Sequence, residues 1–138
     1  MTRKLLSRDV ARQATYFKKK LVDVTELGEM PADGTSPEPT YVFVTEVSAA
    51  VRDKIEESFV IRKKSGRTIT NLEGMRARIA VQCCVDEQGH RVFSDDDAEW
   101  LSTKSAAALS RIYNAYNELN GIGEEDREEL EKNLPTEP

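Results

Sequence analysis

The hydrophobic period of this chain changes once, at about Ser48, and that change limits what it can fold into. Upstream, Tyr16 to Val24 gathers Phe17, Leu21, Val22 and Val24, and Tyr41-Val-Phe-Val-Thr-Glu-Val47 is rich in β-branched and aromatic residues. Both read as strands, because such side chains pack well on a pleated surface. Gly28 to Thr40, with Pro31, Pro37 and Pro39, is a loop that would join them as a long antiparallel hairpin spanning about 16–47. A hairpin is marginal alone in water, so this one must pack on helices.

Those helices follow at about 48–133. Val51, Ile55 and Phe59 make one stripe behind a Ser48 cap, and Leu72, Met75, Ile79 and Cys83 make a second behind Asn71. Between them, Val60 to Asn71 reads as a basic connector turning at Gly66. Asp86-Glu-Gln-Gly89 is a turn, and Ser94 opens an acidic helix start at Asp95-Asp96-Asp97 that leads to Ala98, Trp100 and Leu101. The strongest helix runs from Ser105 through Leu109, Ile112, Tyr113, Tyr116 and Leu119 to a stop at Asn120-Gly121. Ser7 caps a short helix near the N-terminus, and an acidic helix from Glu124 to about Asn133, anchored by Leu130, ends the pattern. The expected fold is α+β: a mainly helical small domain, with an N-terminal antiparallel hairpin on a helical bundle. One domain over 1–134 and a disordered tail at 135–138 suit a chain of 138 residues.

Charge excludes several functions. Twenty Lys and Arg against 25 Asp and Glu leave a net charge of −5, which on average repels a nucleic-acid backbone. Neither an apolar run near the ~18 residues of a membrane span nor the apolar stretch of a secretory signal stands out, so a cytoplasmic protein is expected. The charges lie in blocks: basic at 1–20 (Arg3, Lys4, Arg8, Arg12, Lys18, Lys19, Lys20) and at 60–78, acidic at 86–99 and after Gly123. Segregated charge can steer subunits together head to tail, although solvated helix faces account for most such runs.

No catalytic or metal-binding constellation emerges. Adjacent Cys83 and Cys84 would form a strained disulfide and read as small core residues with free thiols. His90 sits in a turn with no nucleophile in a recognisable dyad around it. Counted from Asp86, a calcium loop would need its glycine sixth and a Glu twelfth, but Gly89 falls fourth and Asp97 twelfth. Gly121-Ile-Gly123 is a helix stop rather than a phosphate cradle, and Arg62-Lys63-Lys64 with Arg67 lacks the interleaved aromatics of a nucleic-acid surface. A binding protein is expected: not an enzyme, with no cofactor, no metal, no nucleic acid and no membrane partner.

One longer pattern goes further. Ile79-Ala-Val-Gln-Cys-Cys-Val-Asp86-Glu-Gln-Gly89-His-Arg-Val-Phe93-Ser94-Asp-Asp-Asp is followed by Lys104-Ser105-Ala-Ala-Ala-Leu109, Leu119-Asn120-Gly121 and Lys132-Asn133. With Val47-Ser48-Ala-Ala-Val-Arg52-Asp53 upstream, the order and spacing resemble the tail assembly chaperones of long-tailed, siphovirus-type bacteriophages from about Thr40 to Asn133. The long Gly28–Pro39 loop and the Cys83-Cys84 pair depart from that pattern. The resemblance implies a phage or prophage protein of the host bacterial cytoplasm, absent from the mature virion. It would bind and coat the tape measure protein as a homo-oligomeric ring or spiral and keep it soluble. A longer frameshifted form would recruit the major tail protein. Glu131-Lys132-Asn133 can be encoded as GAA AAA AAC, which contains a slippery A AAA AAC run. The alternative is a structural protein retained in the virion, either a head–tail joining or a minor tail component. For partner contact the candidates are Phe59, Val60, Ile61, Arg62, Lys63 and Lys64, where apolar residues adjoin charge.

Overall fold

The computed structural model describes residues 3–122. In chain order the elements are α1 (Arg8–Gln13), β1 (Lys19–Asp23), β2 (Tyr41–Thr45), α2 (Ala49–Glu57), β3 (Val60–Arg62), β4 (Thr68–Thr70), α3 (Met75–Cys83), β5 (Cys84–Val85), α4 (Ala98–Leu101) and α5 (Ala106–Leu119). Short 3-10 turns cover Thr25–Leu27 and Asp95–Asp97. This is a small α+β fold, with more helix than strand and antiparallel sheets.

The β1–β2 hairpin forms in the expected place, with Leu21 opposite Phe43 and Val22 opposite Val42. It gains a third strand: β5 pairs with β2, placing Val85 beside Phe43 and Cys84 beside Val44. Alternation then puts Val22, Val44 and Cys84 on one buried face, against which α5 packs through Leu109, Ile112 and Tyr116. Helix α3 lies against α5 and buries Ala77, Ile79, Ala80, Val81 and Cys83. Helices α2 and α4 close the cluster with Ile55 and Leu101.

Cap chemistry sets the helix starts. The Oγ atoms of Ser7, Ser48 and Ser105 accept from the backbone N–H three residues on, in Val10, Val51 and Ala108. Asp97 Oδ2 takes the Ser94 N–H at 2.8 Å.

Four expectations need correction. Val60 to Asn71 is not a connector but a second hairpin, β3–β4, turned by Gly66 at φ +85°. Asn71 does not cap α3: its Oδ1 accepts from Glu73 N, and the helix begins after Gly74 at φ +66°. The α3 helix stops at Cys83 instead of running to the Asp86 turn, because Cys84 is already extended. Phe59 is 6% exposed and belongs to the core. The expected helix over Glu124–Asn133, the tail and the Lys132-Asn133 pair lie outside the described residues. Among the described residues, no helix is long and apolar enough to cross a membrane.

Candidate functional site

A cleft opens where α2, the β3–β4 hairpin, α3 and α5 meet. Ile55 and Phe59 form one wall, Val60 and Thr70 the hairpin side, and Met75, Ile79 and Tyr113 the opposite wall. Its volume of about 270 Å³ is below the ~300–1,000 Å³ of a small-molecule site. Its lining is mainly apolar, with Arg52 and Glu56 at the rim.

Arg78 holds the hairpin side of this cleft in place. Its guanidinium donates to the carbonyls of Ser58, Asn71 and Glu73, the last two at 2.8 and 2.7 Å. The Ser58 carbonyl belongs to the C-cap of α2, where a cation also meets the negative end of the helix dipole. The Asn71 N–H donates back to the Phe59 carbonyl, which closes the base of the hairpin. Partial burial pushes the Arg78 pKa down without threatening its charge. Nothing in the apolar stripe of α3 marks Arg78 in advance. Its role depends on three carbonyls that only the tertiary fold brings together.

The open end of the cleft is polar. Arg52 pairs with Glu56 at 3.1 Å and donates to the Asn120 carbonyl at 3.2 Å, tying α2 to the end of α5. Asn120 Oδ1 in turn accepts from the Val47 N–H at 2.9 Å. Tyr116 is buried deeper, and burial raises its hydroxyl pKa to about 12. Beside it the Nδ2 of Asn117 is buried without a hydrogen-bond partner on a residue that lines the cleft.

The structure divides the sequence candidates. Phe59 and Val60 line the cleft, Phe59 from within the core and Val60 from its margin. Ile61 pairs with Ile69 on the other face of the hairpin and is 41% exposed. Arg62 reaches Glu57 at 2.9 Å, and Lys63 and Lys64 stand exposed at the turn. Ile55, Met75, Ile79 and Tyr113 join the site from helical stripes that read in the sequence only as core.

Elsewhere the chemistry is structural. Cys83 and Cys84 are both buried and free. The neighbouring Cys84 thiol and burial push the Cys83 thiol well up, away from nucleophilic use. His90 is exposed in its turn, with Nδ1 3.7 Å from Asp86 Oδ2. Among the described residues, no group of three or more His, Cys, Asp or Glu is placed to hold a metal. Comparison with protein-family models, curated proteins and solved structures finds no match to this chain.

Proposed function

We propose that this chain is a phage tail assembly chaperone that binds the tape measure protein through the cleft beside the β3–β4 hairpin. The carrying observation is the cleft itself, an apolar slot with a charged rim at Arg52 and Glu56. An amphipathic helix fits such a slot through side chains at i, i+3 and i+4, and the rim charges meet its polar flank. The sequence pattern from Thr40 to Asn133 supports the same reading. A long helical client exposes apolar stripes that aggregate unless many small subunits cover them. The proposed role uses contacts alone and leaves every covalent bond intact.

Co-expression with the tape measure protein tests the assignment. The full chain should co-purify with it, and Val60→Asp should reduce recovery at least tenfold while circular dichroism stays unchanged. Unchanged recovery with Val60→Asp would remove the cleft. Finding the chain as a stoichiometric part of purified virions would replace the chaperone role with a structural one.

A further inference from the structure

The chain leaves α5 at the cleft. Gly121, at φ +68°, turns it back so that the Ile122 N–H donates to the Asn117 carbonyl at 2.8 Å. Ile122 then lines the cleft together with Arg52, Tyr113 and Asn117. Whatever follows Ile122 starts from the wall of the slot itself.

The sequence that follows pairs an apolar stripe with acidic charge. From Glu124 to Pro138 it carries seven acids against Arg127 and Lys132. Its two leucines, Leu130 and Leu134, are four apart, the spacing that puts both on one side of a helix, and Pro135 follows as a stop. Leu130 is eight residues past Ile122, a reach of ~12 Å along a helix and about twice that in extended chain. Either is enough to cross a cleft of about 270 Å³.

The hairpin side of the cleft supplies the opposite charge. Between Val60 and Asn71 stand Arg62, Lys63, Lys64 and Arg67 with no acid among them, and residues 61–68 are exposed. Arg76 adds a cation on the opposite wall, 5.5 Å from the Tyr113 ring centre. The apolar lining between them is incompletely covered: Val60 is 36% exposed, and Met75 and Tyr113 are half-buried.

We infer that the acidic segment 124–138 docks on the cleft of its own chain when no client is bound, seating Leu130 and Leu134 in the slot and laying its acids along the basic hairpin. Opposite charge selects this occupant, and its attachment at Ile122 gives it an effective concentration on the order of millimolar. A client must then displace the segment, and a subunit without a client keeps its apolar slot covered. That consequence for client binding rests on the proposed function, whereas the docking itself does not.

Zero-length carbodiimide coupling of the full chain, without any client, tests the docking. Lys63 or Lys64 should couple to glutamates of 124–131, and in a mixture of ¹⁵N-labelled and unlabelled protein the links should stay within one copy. Leu130→Ser with Leu134→Ser should lower the yield at least fivefold with circular dichroism unchanged, and Val60→Asp should do the same from the cleft side. A labelled synthetic peptide of residues 124–138 should bind the double leucine variant at least tenfold more tightly than wild type, whose cleft is filled, and less tightly at high salt. Links between copies, an undiminished yield in the leucine variant, or a peptide that binds both proteins alike or neither would overturn the inference. These readouts contain no client, so they stand unchanged if the client assignment fails.

Discussion

The Arg78 guanidinium lies over the Phe59 ring, 5.0 Å from its centre, while its nitrogens hold the carbonyls at the base of the β3–β4 hairpin. One side chain therefore packs the core residue just beyond α2 and orients the strand that follows. A cation over a ring contributes ~0.5–2 kcal/mol, and charged hydrogen bonds ~1.5–3 kcal/mol each. Arg78→Ala should lower stability by about 2 kcal/mol in chemical denaturation. Arg78→Lys should recover only part of that, because an ammonium cannot span three carbonyls with a planar fork. An unchanged midpoint for Arg78→Ala would show that the hairpin is held by other contacts.

Phe59 and Ile61 are two residues apart but should behave differently. Truncating a buried Phe costs ~3–5 kcal/mol, and placing a carboxylate there costs more. Phe59→Asp should leave the chain unfolded by circular dichroism. Ile61→Asp, on the exposed face of the hairpin, should change stability by less than ~1 kcal/mol. Equal thermal midpoints for the two variants would contradict the burial of Phe59.

Asp95 joins three parts of the fold. It accepts from Lys54 of α2 at 2.6 Å, from Gln82 of α3 at 2.8 Å and from Arg91 at 2.8 Å. Lys54 first, then Arg91, hold its carboxyl far below the ordinary 3.8. The group is half exposed, so solvent screening reduces the gain to ~1 kcal/mol. Folding lowers this pKa, so the stabilisation is complete above 3.8 and is lost as pH falls from there through the folded-state value. Asp95→Asn should be less stable than wild type by ~1 kcal/mol at neutral pH, and the gap should narrow in acid. A gap that widens in acid would reverse the assignment.

The two thiols offer a probe of opening. Both are buried, and the neighbouring Cys84 thiol together with burial keeps Cys83 protonated. A thiol reagent should modify them only as fast as the fold opens, and both together, because they lie in one core. Rapid labelling of either cysteine in native protein would show that this part of the core is loose.

Much of the fold is legible in the sequence, for identifiable reasons. Ser7, Ser48, Ser94 and Ser105 mark element starts because an N-cap is a local interaction, settled within three residues. The Leu109–Tyr116 stripe is legible because α5 has one buried face. Short strands are not. Val60–Arg62 and Thr68–Thr70 are three residues each, too brief for alternation to show, and Cys84–Val85 is shorter still. Adjacent Cys83 and Cys84 both reach the core because the chain passes from helix to strand between them, a change that no single periodicity contains. The candidate site was legible in part for the same reason. Charge beside Phe59–Ile61 marks these residues as contact candidates, whereas the hairpin itself is missed and the cleft needs Met75, Ile79 and Tyr113 from two distant helices.

The solubility of the tape measure protein in cells, produced with and without this chain, tests the central claim most directly. Alone the client should pellet, and with this chain it should stay in the supernatant as a complex with many small subunits per client. A client that pellets equally in both cases, or stays soluble without ever binding this chain, would contradict the account.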